Sequence, residues 1–346
     1  MKKILDKLIS TNNLTKDELV YVLDNLNDEW RKYIFKHSKE AKERHYGKSV
    51  YMRGLIEISN YCKQNCNYCG IRHGNKNVDR YRLNPDTILQ CTDLGYKLGY
   101  RTFVLQGGED NYYTDELLVD LIKNIKDKHP DSAITLSLGE RSYESYKKLY
   151  EAGADRYLLR HETATREIYD SLHPGMSYDN RRQCLNQLKE IGYQTGAGFM
   201  VGLPNQDNAA LADDLLFLKE LKPHMIGIGP FIPHPETPIG ECKGGTVEDT
   251  MVMLSLTRLL LPDVLLPSTT ALGTLDPKGR EKALSVGANV VMPNLSPVSV
   301  REKYELYKDK ICTGDEAAHC RKCIEGRINS VGYVVDMGRG DHVSMQ

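Results

Sequence analysis

Beyond Lys48 the chain repeats one unit: a short apolar run, a polar or glycine-rich loop, an amphipathic helix, then glycine before the next run. Eight such runs can be counted, at 54–59, 101–106, 133–138, 156–160, 195–201, 225–231, 265–269 and 289–293. A parallel strand pair needs a crossover long enough to hold a helix, so strand-helix alternation implies parallel strands. Eight units predict an α/β fold, a complete (β/α)8 TIM-type barrel whose chemistry gathers in loops at the carboxyl ends of the strands. The polar clusters obey that rule. A cysteine loop follows the first run, Gly107-Gly108-Glu109-Asp110 the second, Glu140 the third, Arg160-His161-Glu162-Thr163 the fourth and Thr269-Thr270 the seventh.

The repeat leaves both ends unassigned. Residues 1–47 are highly charged, with apolar side chains at helical spacing in Leu19, Val22 and Leu23, and in Trp30, Tyr33 and Ile34. They predict a helical cap in which Thr15 and Glu18 form a capping box. Asn84 and Pro85 have the form of a cap and first turn for a helix over 86–98. The expected organisation is a cap (1–47), a barrel (48–307) and a carboxyl-terminal extension (308–346). A formal net charge of −1 implies no polyanion partner such as nucleic acid, and no apolar run reaches membrane-spanning length. The Lys-rich start does not resemble a secretory signal, so the thiols are expected to stay reduced in the cytoplasm.

Cys62, Cys66 and Cys69 stand in a C-x3-C-x2-C spacing. Three thiolates suit an iron-sulfur cubane, because iron-sulfur cores select soft donors. The spacing leaves one iron without a protein ligand, free to chelate the amino and carboxylate groups of S-adenosylmethionine (SAM); the pattern resembles that of the radical-SAM enzymes. A zinc site completed by His73 is the competing reading. Cys312, Cys320 and Cys323 form a second trio in the tail, for which a further cluster (2Fe-2S or 4Fe-4S) leads, and zinc with His319 or His342 competes. Cys91, Cys184 and Cys242 receive no role.

SAM brings a sulfonium, an ammonium, a carboxylate and ribose hydroxyls, so its pocket needs carboxylates, a guanidinium and backbone donors. Gly107 and Gly108 allow close backbone approach, and Gln106 and Glu109 can hold polar groups around the ligand. Glu162 can accept from ribose or ammonium, and the planar fork of Arg181 suits a carboxylate. Gly196, Gly198 and Gly202 mark either approach to adenine or a kinked strand. The basic stretch Arg72, His73, Lys76, Arg80 and Arg82 reads by default as solvated surface; its sharper reading is a docking face for an acidic electron donor.

The strings EISNYCKQNCNYCGIRHGNKNVDRYR, VLQGGED, TLSLGE, RYLLRHETA, GAGFMVGLP, GIGPFIPHPETP and VMPNLSP resemble HydE, the radical-SAM maturase family of FeFe-hydrogenase. The resemblance implies a complete barrel with the SAM cluster at its top and substrate in an internal cavity. It implies that Cys62, Cys66 and Cys69 bind the cluster, that Gln106, Ser137, Glu162 and Arg181 contact SAM, and that Thr135, Arg160, Met225, Thr269, Thr270, Met292 and Tyr304 line the cavity. The expected activity is reductive cleavage of SAM to a 5′-deoxyadenosyl radical in maturation of the hydrogenase di-iron subcluster. Expected partners are SAM, a small anionic or iron-carbonyl-cyanide substrate, a ferredoxin or flavodoxin, and the maturases HydG and HydF. Two rivals remain: a biosynthetic radical-SAM enzyme resembling biotin synthase or methylornithine synthase, and a cluster carrier that never turns SAM over.

Overall fold

The computed structural model describes residues 1–314 and 316–345. Three helices lead the chain, α1 (Lys2–Thr11), α2 (Lys16–Asp24) and α3 (Asp28–Tyr46). Thr15 caps α2 through the reciprocal box with Glu18, as the sequence predicts. Strands β1 (Ser49–Met52) and β2 (Gly54–Ser59) follow, then α4 (Pro85–Lys97), capped by Asn84, β3 (Thr102–Gly107), α5 (Asp115–Lys128) and β4 (Ala133–Ser137). Next come α6 (Tyr143–Glu151), β5 (Arg156–Leu158), α7 (Arg166–Leu172), α8 (Tyr178–Ile191), β6 (Gln194–Ala197), β7 (Met200–Val201) and α9 (Asn208–Leu221). The remainder holds β8 (Met225–Ile226), β9 (Gly229–Pro230), α10 (Val247–Leu260), α11 (Thr270–Leu275), α12 (Gly279–Ser285), β10 (Val290–Val291), α13 (Val298–Arg301), α14 (Ala317–Ser330) and β11 (Val334–Asp336). No helix among the described residues is long and apolar enough to cross a membrane.

The fold is α/β with parallel strands. Strands β2-β3-β4-β5-β6-β8 form a six-stranded parallel sheet in that order, and β7 pairs with β9. Buried on both faces, these strands read as near-continuous apolar runs rather than alternating ones. The run predicted at 195–201 divides into β6 and β7 around Gly198. Its φ is +153°, and a Cβ there would sit 2.0 Å from the carbonyl oxygen of Gly227. The run at 265–269 forms no strand, only single parallel bridges from Leu265 to Met225 and from Pro267 to Val290. Pro267 has no N–H to donate to a ladder.

Two strands escape the sequence pattern. β1 runs directly into β2, and with β10 and β11 it forms a three-stranded parallel sheet. The tail is thereby tied to the first strand. Its Arg339 and Asp341 reach the amino-terminal ends of the strands, where Asp341 accepts from the fully buried Arg156 at 2.5 Å and from Gln194 at 2.7 Å.

Candidate active site

The loop after β2 is held from within. Arg80 donates to the carbonyls of Asn60, Ile71, Arg72 and Asn75, and Asn75 donates to the Gly70 carbonyl at 2.8 Å. Arg82 pairs with Asp110 through two hydrogen bonds of 2.7 and 2.9 Å and lies over the Tyr61 ring. Arg82 stays exposed while paired with Asp110, but the default of a solvated basic surface fails for Arg80, which shapes the loop. Gly108 is required beside it, since a Cβ there would lie 2.2 Å from the Tyr61 carbonyl oxygen.

Cys62, Cys66 and Cys69 line one wall of a cavity of about 360 Å³. All three thiols are free, and burial raises each, Cys66 to about 12. A bound cationic core would reverse that trend by favouring thiolate. The Glu109 amide points at Cys62 Sγ at 3.4 Å. Three soft donors with a backbone donor beside them on one cavity wall fit a cluster. Among the described residues no three Cys, His, Asp or Glu side chains, this trio included, converge on one metal ion, which a cluster with a separate iron for each thiolate does not require. His73, the rival zinc ligand, lies exposed on the loop, its amide bonded to the Gln64 carbonyl.

The same cavity is lined by Gln106, Glu109, Ser137, Arg160, Glu162, Arg181, Thr269, Thr270, Met292 and Tyr304. Gln106 donates to the Tyr304 hydroxyl at 3.3 Å. Glu109 accepts from Gln64 at 2.6 Å and from the Glu140 amide at 3.0 Å. Glu162 adopts φ +65°, a left-handed backbone uncommon outside glycine, and its buried Oε2 accepts no hydrogen bond. Arg160 Nη2 stands 3.3 Å from that atom. Arg181, on α8, pairs with Glu140 at 2.6 Å and donates to the Arg160 carbonyl. Thr135 and Met225 do not line this cavity: Thr135 is buried with Oγ1 unpartnered, and Met225 Sδ accepts from Arg53 at 3.0 Å.

Three charged lining residues, Glu57, Arg280 and Lys310, escaped the sequence reading. Glu57, 1% exposed in β2, binds Lys310 of the tail at 2.5 Å and accepts from Asn294 at 2.8 Å. A charge inside an apolar strand run was its available signal. Arg280 donates to Thr270 Oγ1 at 3.2 Å and to Cys312 Sγ at 3.4 Å, its two side-chain hydrogen bonds among the described residues. Its position in α12 carries no local signal. In the tail, Cys320 is buried on α14 near Arg301, and Cys323 is exposed on the same helix. His342 packs against His224 and Ser344.

Comparison with known proteins decides the family. The Radical SAM superfamily model matches residues 56–218. The HydE subunit of the [FeFe] hydrogenase maturase of Thermotoga maritima is 47% identical over 332 residues, covering 96% of this chain and 94% of that protein. The chain belongs to the HydE family of radical SAM enzymes. Membership implies a 4Fe-4S cluster, SAM and a reductant for this HydE-family protein. A 3-methylornithine synthase of Methanosarcina acetivorans is 27% identical, covering 83% of this chain and 81% of that protein. The crystal structures of methylornithine synthase and of the maturase HydG share the fold, each with a TM-score of 0.82, at 24% and 22% identity. They cover 96% and 97% of this chain, and 97% and 75% of their own.

Proposed function

We propose that this chain cleaves SAM reductively inside a complete (β/α)8 barrel and processes a precursor of the hydrogenase di-iron subcluster. For the barrel, the supporting observation is a circuit of parallel pairings: the six-stranded sheet continues by bridges from Met225 to Leu265 and from Pro267 to Val290, then returns through β10 to β1 and from Asn294 to Leu55. A cap over 1–47, a barrel over 48–307 and an extension over 308–346 follow from this reading, the extension adding Lys310 and Ile324 to the cavity wall.

One observation carries the function: the cysteine trio after β2 and the polar residues that end or follow β3, β4, β5 and the 265–269 run face a single cavity in a HydE-family chain. Cys62, Cys66 and Cys69 would hold the 4Fe-4S cluster, which when bound supplies the electron that splits the SAM sulfonium into methionine and a 5′-deoxyadenosyl radical. The protein's own residues do the rest. Gln106, Ser137, Glu162 and Arg181 contact SAM, with Glu109 beside them, and Glu162 Oε2, ion-paired to Arg160 but accepting no hydrogen bond, is the acceptor for a ribose hydroxyl or the ammonium. Arg181 is oriented by Glu140, so its fork is set before ligand arrives. Apolar Leu55, Leu158 and Val291 exclude water around the reacting carbon.

Lys310 is neutralised by Glu57, Arg160 by Glu162 and Arg181 by Glu140, which among the described residues leaves Arg280 as the lining cation for a small anionic or iron-carbonyl-cyanide substrate. Thr269, Thr270, Met292 and Tyr304 act at the surface of the cavity wall. A second cluster on Cys312, Cys320 and Cys323, a ferredoxin or flavodoxin donor and HydG and HydF as fellow maturases complete the proposal, in a cytoplasmic setting that fits nine free cysteines. The test adds purified protein and SAM to a maturation mixture lacking only this component. Restored hydrogenase activity supports the reading. SAM turnover without restoration favours a biosynthetic enzyme, and no turnover favours a carrier.

A further inference from the structure

Along the segment after β5 successive side chains face opposite ways. Arg160 and Glu162 line the cavity, whereas His161 between them points into the core and is 2% exposed. Its ring packs against Phe199 and Phe217 at 5.9 and 4.6 Å. His161 Nδ1 accepts from the Gly198 amide at 3.3 Å, which places the proton on Nε2, and Nε2 faces Asp214 Oδ1 at 3.3 Å. Asp214 stands on α9 and is fully buried. It also accepts from the Ala164 amide at 2.6 Å and from Gln206 at 3.3 Å. Burial pushes its pKa well up, the hydrogen bonds from Ala164 and Gln206 oppose that, and the charges of Asp213 and Glu162 add to it.

These contacts bracket Glu162. Asp214 ties down Ala164 on one side and His161 on the other, and His161 clamps the segment to the strand break at Gly198. Around the same break the Glu162 amide donates to the Gly198 carbonyl at 3.0 Å, the Met200 amide to the Glu162 carbonyl at 3.2 Å, and Arg160 Nη2 to the Phe199 carbonyl at 2.6 Å. A left-handed backbone at a non-glycine residue persists only where its surroundings over-determine it. We propose that the Asp214–His161 pair is the positioning device for the Arg160–Glu162 corner, holding Glu162 in its left-handed backbone so that Oε2 faces the SAM side of the cavity. This rests on the reading that Glu162 contacts SAM.

The test compares His161→Phe, which keeps the aromatic packing, Asp214→Asn, which keeps the shape, Glu162→Gln, and the double variant His161→Phe with Glu162→Gln. The reconstituted enzyme with a chemical reductant is assayed for iron content, melting temperature, and KM and kcat for 5′-deoxyadenosine release. Each single variant is expected to keep its iron and raise KM for SAM about tenfold, the effect of one hydrogen bond to a charged group, with kcat less affected. The double variant is expected to match Glu162→Gln alone, because the pair acts through Glu162. Wild-type KM in both His161→Phe and Asp214→Asn, beside a raised KM in Glu162→Gln, would overturn the positioning role alone. Additive effects, or loss of iron and fold in both pair variants, would overturn it too by assigning the pair to the core. A wild-type KM in Glu162→Gln would instead sink the SAM contact on which it rests.

Discussion

Cys62, Cys66 and Cys69 sit together on one loop braced by Arg80, and all three line the cavity. Cys312, Cys320 and Cys323 are shared between a loop and α14, and none lines it. Their neighbours differ as much. Around the first trio, the Arg80 guanidinium is spent on backbone carbonyls, and the thiols are raised by burial. In the second, Arg280 and Arg301 reach directly to the sulfurs of Cys312 and Cys320, at 3.4 and 3.8 Å. Identical donors thus occupy two settings. One opens onto space for a ligand, and the other is packed against Arg280 and Arg301.

The comparison breaks if the trios prove interchangeable. The largest contrast is expected between Cys69→Ser and Cys320→Ser in the reconstituted enzyme: the first is expected to reduce 5′-deoxyadenosine formation to background, and the second to leave it near wild type while lowering bound iron. Loss of product in both would make the tail part of the catalytic machinery.

Next in size is the link between the tail and the cavity. Lys310→Met leaves the buried Glu57 without its cation and is expected to cost about 3 kcal/mol in chemical denaturation. Glu57→Gln together with Lys310→Met is expected to recover much of that loss, because no unpaired charge remains. An unchanged midpoint for Lys310→Met would show that the tail only rests on the barrel.

A smaller effect sits at the opposite end of the tail. Burial pushes the Asp341 carboxyl up, but Arg156, Arg339 and Gln194 outweigh it and hold the pKa at about 2 instead of 3.8. A carboxylate with a depressed folded pKa stabilises above the unfolded value and loses that contribution as pH falls. The shift corresponds to about 2 kcal/mol, present above 3.8 and lost as pH falls toward 2. Asp341→Asn is expected to flatten that part of the acid titration of stability, and an unchanged acid profile would detach the tail's end from the strand bottoms.

What the sequence made legible follows how local each signal is. The apolar runs at 54–59, 101–106 and 133–138 became strands within a residue of their expected ends, because burial on both faces writes itself into neighbouring positions. The run at 265–269 had the right composition, but Pro267 reduced its pairing to single bridges. β1 was hidden because only Arg53 separates it from β2, and β11 because it is short and half exposed. Ten polar and apolar residues named for the cavity face it, since strand ends and the loops after them mark that rim. Glu57 with Lys310, and Arg280 with Cys312, were illegible as pairs: their partners are far apart in sequence, and only the fold brings them together. His161 was read as part of a polar rim cluster and turned inward, because a lone histidine does not announce which face it takes.

The central claim is that the first cysteine trio holds a cluster with one iron left for SAM. Electron-nuclear double resonance on the reduced, reconstituted enzyme with SAM labelled at its amino nitrogen and carboxylate tests it most directly. Strong coupling from both labels to the cluster, present in wild type and absent in Cys66→Ala, is the predicted result. A cluster that shows no coupling to either label, with its fourth iron bound by a side chain, would contradict it.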